Sequence, residues 1–145
     1  MASKSGQNEL RSTAGGFVIL LVLIMLFAIL QPRFLNPINV RNIVRIAAIA
    51  VLAAYGQALV LLTGKIDLSM GSMAGFVSVV VGLTVRDLGI LPAFGIGLAS
   101  GAALGLVNGV LIFHYRLSAF IVTFGMLTSL AGLANLLTNS APIEL

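Results

Sequence analysis

Residues able to do chemistry are few, and their densest group is Thr63-Gly64-Lys65-Ile66-Asp67-Leu68-Ser69-Met70-Gly71-Ser72. A carboxylate accepts hydrogen bonds, an ammonium donates them and a hydroxyl does both. The cluster stands between two long apolar runs, in a stretch too short for a water-facing loop. Two uses of these groups are compatible. Gly64 can end one helix while Asp67 or Ser69 caps the next, accepting its free N–H groups. The same break can line a polar path, because ionisable residues at membrane depth face interior cavities and broken helices contact solutes with their ends. The candidate helix break comprises Gly64, Lys65, Ile66, Asp67, Leu68, Ser69, Gly71 and Ser72. Candidates for contacts along the path are Gln57, Asp67, Ser69, Asn108 and Thr123. Gln57, Asn108, Thr123 and Thr128 can also simply bond to a neighbouring helix.

The inventory argues against catalysis. There is one histidine and no cysteine, which excludes His-cluster and Cys-based metal sites, thiol catalysis and a disulfide framework. The four acids Glu9, Asp67, Asp87 and Glu144 lie far apart, and no nucleophile or metalloprotease motif occurs. His114, beside Tyr115 and Arg116, reads as a polar residue at a span end. Gly64-Lys65 fails as a phosphate-binding loop, since Leu59 stands where that loop needs glycine and Ile66 where it needs Ser or Thr. Catalytic residues, a bound metal and a bound cofactor are therefore not expected. The net charge of +4 does not indicate nucleic acid, because Lys4, Arg11, Arg33, Arg41, Arg45, Lys65, Arg86 and Arg116 are scattered, mostly at the ends of apolar runs.

The elements that hold these residues follow from composition. Of 145 residues, 59% are hydrophobic and 8% charged, against about 25% charged in soluble domains. Mean hydropathy is +1.14. Such a chain cannot cover a globule with wet surface, so lipid must be its solvent. The expected fold is all-α, a polytopic bundle of about five transmembrane helices. Charged borders place the spans near 15–32, 43–64, 68–85, 89–113 and 117–138. A short polar tail, 1–14, precedes this 15–142 membrane region and a C-terminal end, 143–145, follows. The first span has basic residues before it like a signal peptide, but Ala28-Ile29-Leu30 offers no cleavage site, so it reads as a retained anchor. Asn36-Pro37 suits an N-cap and first helical position, opening an interfacial turn whose Arg41 and Arg45 snorkel to head groups. With the N-terminus inside, Lys4, Arg11, Lys65 and Arg116 fall on one side and Arg33, Arg41, Arg45 and Arg86 on the other. The tie sets no orientation.

Gly97, Gly101, Gly105 and Gly109 recur every fourth residue. On a helix they form a ridge without side chains, which lets a neighbouring backbone approach closely. Gly71 and Gly75, and Gly125, Ser129 and Gly132, repeat the device more weakly.

Three blocks carry a family resemblance. Phe34-Leu35-Asn36 followed by Gly64 to Ser72, then Gly105-Leu106-Val107-Asn108-Gly109-Val110-Leu111, then Phe120-Ile121-Val122-Thr123-Phe124-Gly125-Met126-Leu127, resemble permease subunits of bacterial ABC importers for monosaccharides, the ribose, xylose and galactose type. The likeness runs from about Phe34 to Pro142. Lys65 departs from it, standing where the family has glycine, and Ser118-Ala119 stands where prolines are common. The resemblance implies the N-terminal part of a longer permease fold, in the bacterial inner (cytoplasmic) membrane with its N-terminus inside. It also implies partners: an ABC ATPase subunit that uses the ATP, a periplasmic sugar-binding protein and a second permease copy, all at the lipid bilayer. The solute would be a monosaccharide or a similar polyhydroxylated compound. The alternative reading is a self-contained small membrane protein, a dual-topology exporter or holin-like pore, which the balanced flanking charges allow.

Overall fold

A computed structural model describes the backbone of residues 2–143 and the side chains of residues 14–143. The side chains of the polar N-terminal segment, and Glu144 and Leu145 of the C-terminal end, lie outside the described residues. The elements are α1 (Ala2–Leu30), α2 (Pro37–Leu62), α3 (Met70–Leu88), α4 (Ile90–Gly109), a π-helical turn (Val110–His114) and α5 (Ala119–Thr138). The fold is all-α. Among the described residues four helical stretches are long and apolar enough to cross a membrane: Pro37–Leu62, Met70–Leu88, Ile90–His114 and Ala119–Thr138. The apolar part of α1, Ala14–Leu30, is shorter.

The chain divides into two compact units, residues 1–51 and 52–145. In the first unit the 31–36 turn separates α1 from α2. The Asn36 side chain accepts the Ile38 N–H at 2.9 Å and its carbonyl accepts the Val40 N–H at 2.9 Å, so Asn36 caps α2 with Pro37 in first place. Phe27 stacks on Phe34, with ring centroids 5.7 Å apart. The segment carrying Arg41 and Arg45 is not a separate interfacial turn but the opening of α2. No glycine or further proline interrupts 38–55, so nothing stops the helix where the charges end. Its 26 residues reach roughly 39 Å, about two turns more than a hydrocarbon core needs. That surplus leaves the arginine-bearing end free to sit at head-group level.

In the second unit α3 packs against both α4 and α5. A single residue, Gly89, separates α3 from α4; its φ of +82° favours glycine, and its N–H closes α3 on the Val85 carbonyl at 3.0 Å. The interior is unlike that of a soluble domain. Among the described residues the buried hydrophobic side chains are Ala93, Val122 and Leu130, while Ser69, Asn108 and Thr123 are buried polar ones. Leucines, isoleucines and phenylalanines of every helix lie outward instead. Lipid tails solvate those groups as well as a protein interior does, so close packing and polar bonds are left to hold the helices together.

The glycine ridge on α4 divides in two. A Cβ built on Gly97 would fall 2.5 Å from Val81 Cγ2 and 3.4 Å from Val77 Cγ1, and one on Gly101 would fall 3.7 Å from Val77. These two glycines admit α3. Gly105 and Gly109 have nothing within 4 Å of that position, and the same is true of Gly71, Gly75, Gly125 and Gly132. Close packing along the whole ridge was the expectation, but α3 follows only its first half. Beyond it the missing side chains leave open space.

Candidate functional site

The break between α2 and α3 is assembled from its own sequence. Gly64 has a φ of +72° and its N–H reaches the Leu61 carbonyl at 2.9 Å, ending α2. Lys65 is not among the positive-φ residues. A side chain is therefore accommodated at this position without strain, even though the family resemblance places glycine here. Asp67 Oδ1 accepts the Ser69 N–H at 2.7 Å and the Ser69 hydroxyl at 2.6 Å. The Ser69 carbonyl accepts from the Met73 N–H at 2.8 Å and the Ser72 hydroxyl at 2.8 Å. Ser69 is the N-cap residue of α3, yet its side chain makes no capping bond. The hydroxyl points to Asp67 instead.

This geometry extends across the fold. Asn108 Nδ2 on α4 donates to Ser69 Oγ at 2.9 Å, joining residues 39 positions apart. A hydroxyl has one proton. Since Ser69 gives it to Asp67, the partner on Asn108 must be a donor, which fixes which amide atom faces Ser69. The order is therefore Asn108 to Ser69 to Asp67. Ser69 is 0% exposed and Asn108 5% exposed, while Asp67 is half-buried, so the relay runs from the interior to a partly accessible carboxylate. The other amide atom, Asn108 Oδ1, is buried with no donor. Leaving such an acceptor unpaired costs about 1–3 kcal/mol.

Beside this relay lies a cavity of about 170 Å³. Its walls include Thr63, Lys65 and Asp67 from the break, Gly105, Asn108 and Gly109 from α4, Phe113 from the π-turn and Thr123 from α5. The space exists where the glycine ridge has left α3. Lys65 Nζ stands 5.4 Å from the centre of the Phe113 ring, a cation–π contact on the cavity wall. Phe113 is placed there by the π-turn, which closes with the Tyr115 N–H on the Val110 carbonyl at 3.2 Å and is followed by Arg116 at φ +56°. Thr63 and Thr123 donate to the carbonyls of Val60 at 2.7 Å and Ala119 at 2.8 Å, so each hydroxyl oxygen keeps acceptor capacity.

Of the residues singled out in the sequence, Asp67, Ser69 and Asn108 form one hydrogen-bonded group, and Thr123 shares the cavity with Asp67 and Asn108. Gln57 does not join them; it is half-buried on α2 and outside the cavity wall. The partnership of Phe113 with Lys65 was not foreseen, because no sequence pattern announces a π-turn in an otherwise regular apolar helix. A wider cleft of about 510 Å³ lies in the first unit around Gln31, Arg33 and Asn39. There Asn36 and Asn39 are occupied with local backbone bonds, at 2.9 Å to Ile38 and 2.7 Å to Phe34. Among the described residues no group of three or more His, Cys, Asp or Glu could hold a metal ion.

No family model matches the chain, and no solved structure does. Curated proteins do match. The ribose import permease protein of Escherichia coli (strain K12) is 37% identical over 128 residues, 88% of this chain and 40% of that protein. The ribose import permease protein of Bacillus subtilis (strain 168) is 38% identical over 130 residues, 89% of this chain and 40% of that protein. The L-arabinose ABC transporter permease protein of Azospirillum brasilense is 32% identical over 139 residues, 94% of this chain and 41% of that protein. The chain thus spans about two fifths of the length of the relatives it matches. Over nearly nine tenths of its own length, then, the chain is similar to ribose and L-arabinose import permease proteins.

Proposed function

We propose that the chain is part of the membrane-spanning permease component of an ATP-binding-cassette importer for a monosaccharide or similar small polyhydroxylated solute. The observation that carries this reading is the 37–38% identity to ribose import permease proteins. The polar relay and cavity between membrane-crossing helices agree with it. On this reading the chain is a multi-pass protein of the bacterial inner membrane and not an enzyme. A separate ATPase subunit uses the ATP, a periplasmic binding protein delivers the solute and a second permease copy completes the assembly. The relatives do not favour the self-contained exporter or pore that the balanced charges allowed.

The test is a chimera in which this chain replaces the matching segment of the E. coli ribose permease, expressed with that system's ATPase and binding protein. Uptake of labelled ribose is the expected result, and Asp67→Ala should impair it by more than its loss of protein level accounts for. A chimera that inserts and assembles with the ATPase yet imports nothing would overturn the reading.

A further inference from the structure

We infer that the cleft at the turn between α1 and α2 is a binding site for the phosphodiester head of an anionic lipid, with Arg33 supplying the charge and the amides around it the hydrogen bonds. The inference is independent of the permease reading, because every group that binds lies between Gln31 and Asn42, within the first unit.

Charge comes first. The residues of this unit whose side chains are described include three arginines, Arg33, Arg41 and Arg45, and no acid. Glu9, the unit's one acid, stands about 30 Å of helix before the end of α1. Arg33 lines a cleft of about 510 Å³ together with Gln31, Asn36, Asn39 and Asn42. Among the described residues no ion pair or hydrogen bond holds the side chain of Arg33, Gln31 or Asn42. The local bonds of Asn36 and Asn39 use one atom of each amide, an oxygen accepting from Ile38 and a nitrogen donating to Phe34. The other atom of each amide stays available. A guanidinium flanked by amide N–H groups, with no carboxylate in the wall, is a donor set that suits a phosphate, whose oxygens match the arginine fork.

The setting decides which phosphate. The apolar stretch of α1, Ala14–Leu30, ends immediately before Gln31, so the cleft lies where hydrocarbon gives way to head groups. Phe34 and Ile38 complete its wall, and Ile38 is 72% exposed. Such apolar surface suits the first methylenes of a lipid better than a hydrated inorganic anion. A zwitterionic head brings an ammonium, and the wall holds no acid to receive it. Phosphatidylglycerol brings hydroxyls instead, which donate to the amide oxygens of Gln31 and Asn42 and accept from their nitrogens. An occupant here ties the α1–α2 turn to the lipid around it.

The full chain, purified in a mild detergent, is mixed with dioleoyl phosphatidylglycerol or dioleoyl phosphatidylcholine, and the lipid-bound species are counted by native mass spectrometry. Phosphatidylglycerol is expected to bind one site about tenfold more tightly than phosphatidylcholine, as hydrogen bonds to a charged group would give. Arg33→Gln should bring the two lipids level. Asn42→Leu changes no charge and should weaken phosphatidylglycerol by about fivefold. Arg45→Gln, whose residue lies outside the wall, should weaken it less than Arg33→Gln, through the surface field alone. Equal retention of the two lipids by the unaltered chain overturns the proposal without calling on any variant to fold. Equal losses for Arg33→Gln and Arg45→Gln, with none for Asn42→Leu, overturn it too, since they describe a diffuse charged surface. Displacement of phosphatidylglycerol by an excess of inorganic phosphate overturns the lipid assignment, because a free anion would then suffice.

Discussion

At the scale of single residues, the decisive fact is that Asp67 binds twice with one oxygen. It takes both the backbone N–H and the hydroxyl of Ser69, at 2.7 and 2.6 Å. Asparagine at 67 retains an oxygen that can accept both; alanine removes it and strands two donors. We therefore expect Asp67→Ala to destabilise the chain more than Asp67→Asn, with hydrogen bonds to a charged group contributing about 1.5–3 kcal/mol each. Thermal unfolding in detergent ranks the two, and equal midpoints would show that the bonds contribute nothing. Ser69→Ala removes the middle of the relay and leaves Asn108 Nδ2 buried without an acceptor. A loss of about 1–3 kcal/mol is expected, and the same unfolding measurement checks it.

At the scale of elements, one helix performs two tasks with one repeat. The Gly97 and Gly101 half of α4 meets Val77 and Val81 of α3, and the Gly105 and Gly109 half faces the cavity. Gly97→Ala would place a methyl 2.5 Å from a valine methyl. Valine has little χ1 freedom in a helix, so it cannot readily yield. The expected cost is about 1–3 kcal/mol of overpacking. Gly105→Ala meets nothing and should leave stability unchanged or raise it slightly, since alanine is the better helix former. A lower midpoint for Gly105→Ala than for Gly97→Ala would contradict this division of the ridge. The repeat was legible in the sequence because its spacing is the helical one. Where it stops serving contact was not, because that depends on the angle at which α3 crosses, and no local spacing encodes an angle.

At the scale of the whole molecule, every helix exposes large apolar side chains, and among the described residues as many polar as hydrophobic side chains are buried. A molecule so arranged is stable only where apolar surface is already solvated by hydrocarbon. We expect the chain to sediment with membranes and to stay there through alkaline carbonate and urea washes. Release into the aqueous fraction by carbonate would contradict insertion. The architecture also explains why charge counting set no orientation. Among the described residues the basic side chains stand near helix ends and turns, as with Arg41 and Arg45 at the start of α2, Arg86 in the last turn of α3 and Arg116 after the π-turn.

Composition and local spacing by themselves determined the all-α membrane architecture, the break at Gly64, the Asn36 cap and the residues able to make polar contacts. Each of these depends on a residue's type and its neighbours within a turn or two: an apolar run, a glycine at positive φ, a short polar side chain before a proline. Only the tertiary structure decided which polar residues are partners. Asn108 meets Ser69 across 39 positions of chain, while Gln57, equally polar and equally within a span, stays apart. Hydrogen bonds act over about 3 Å, so a difference in helix rotation that sequence spacing cannot record separates a relay residue from a bystander.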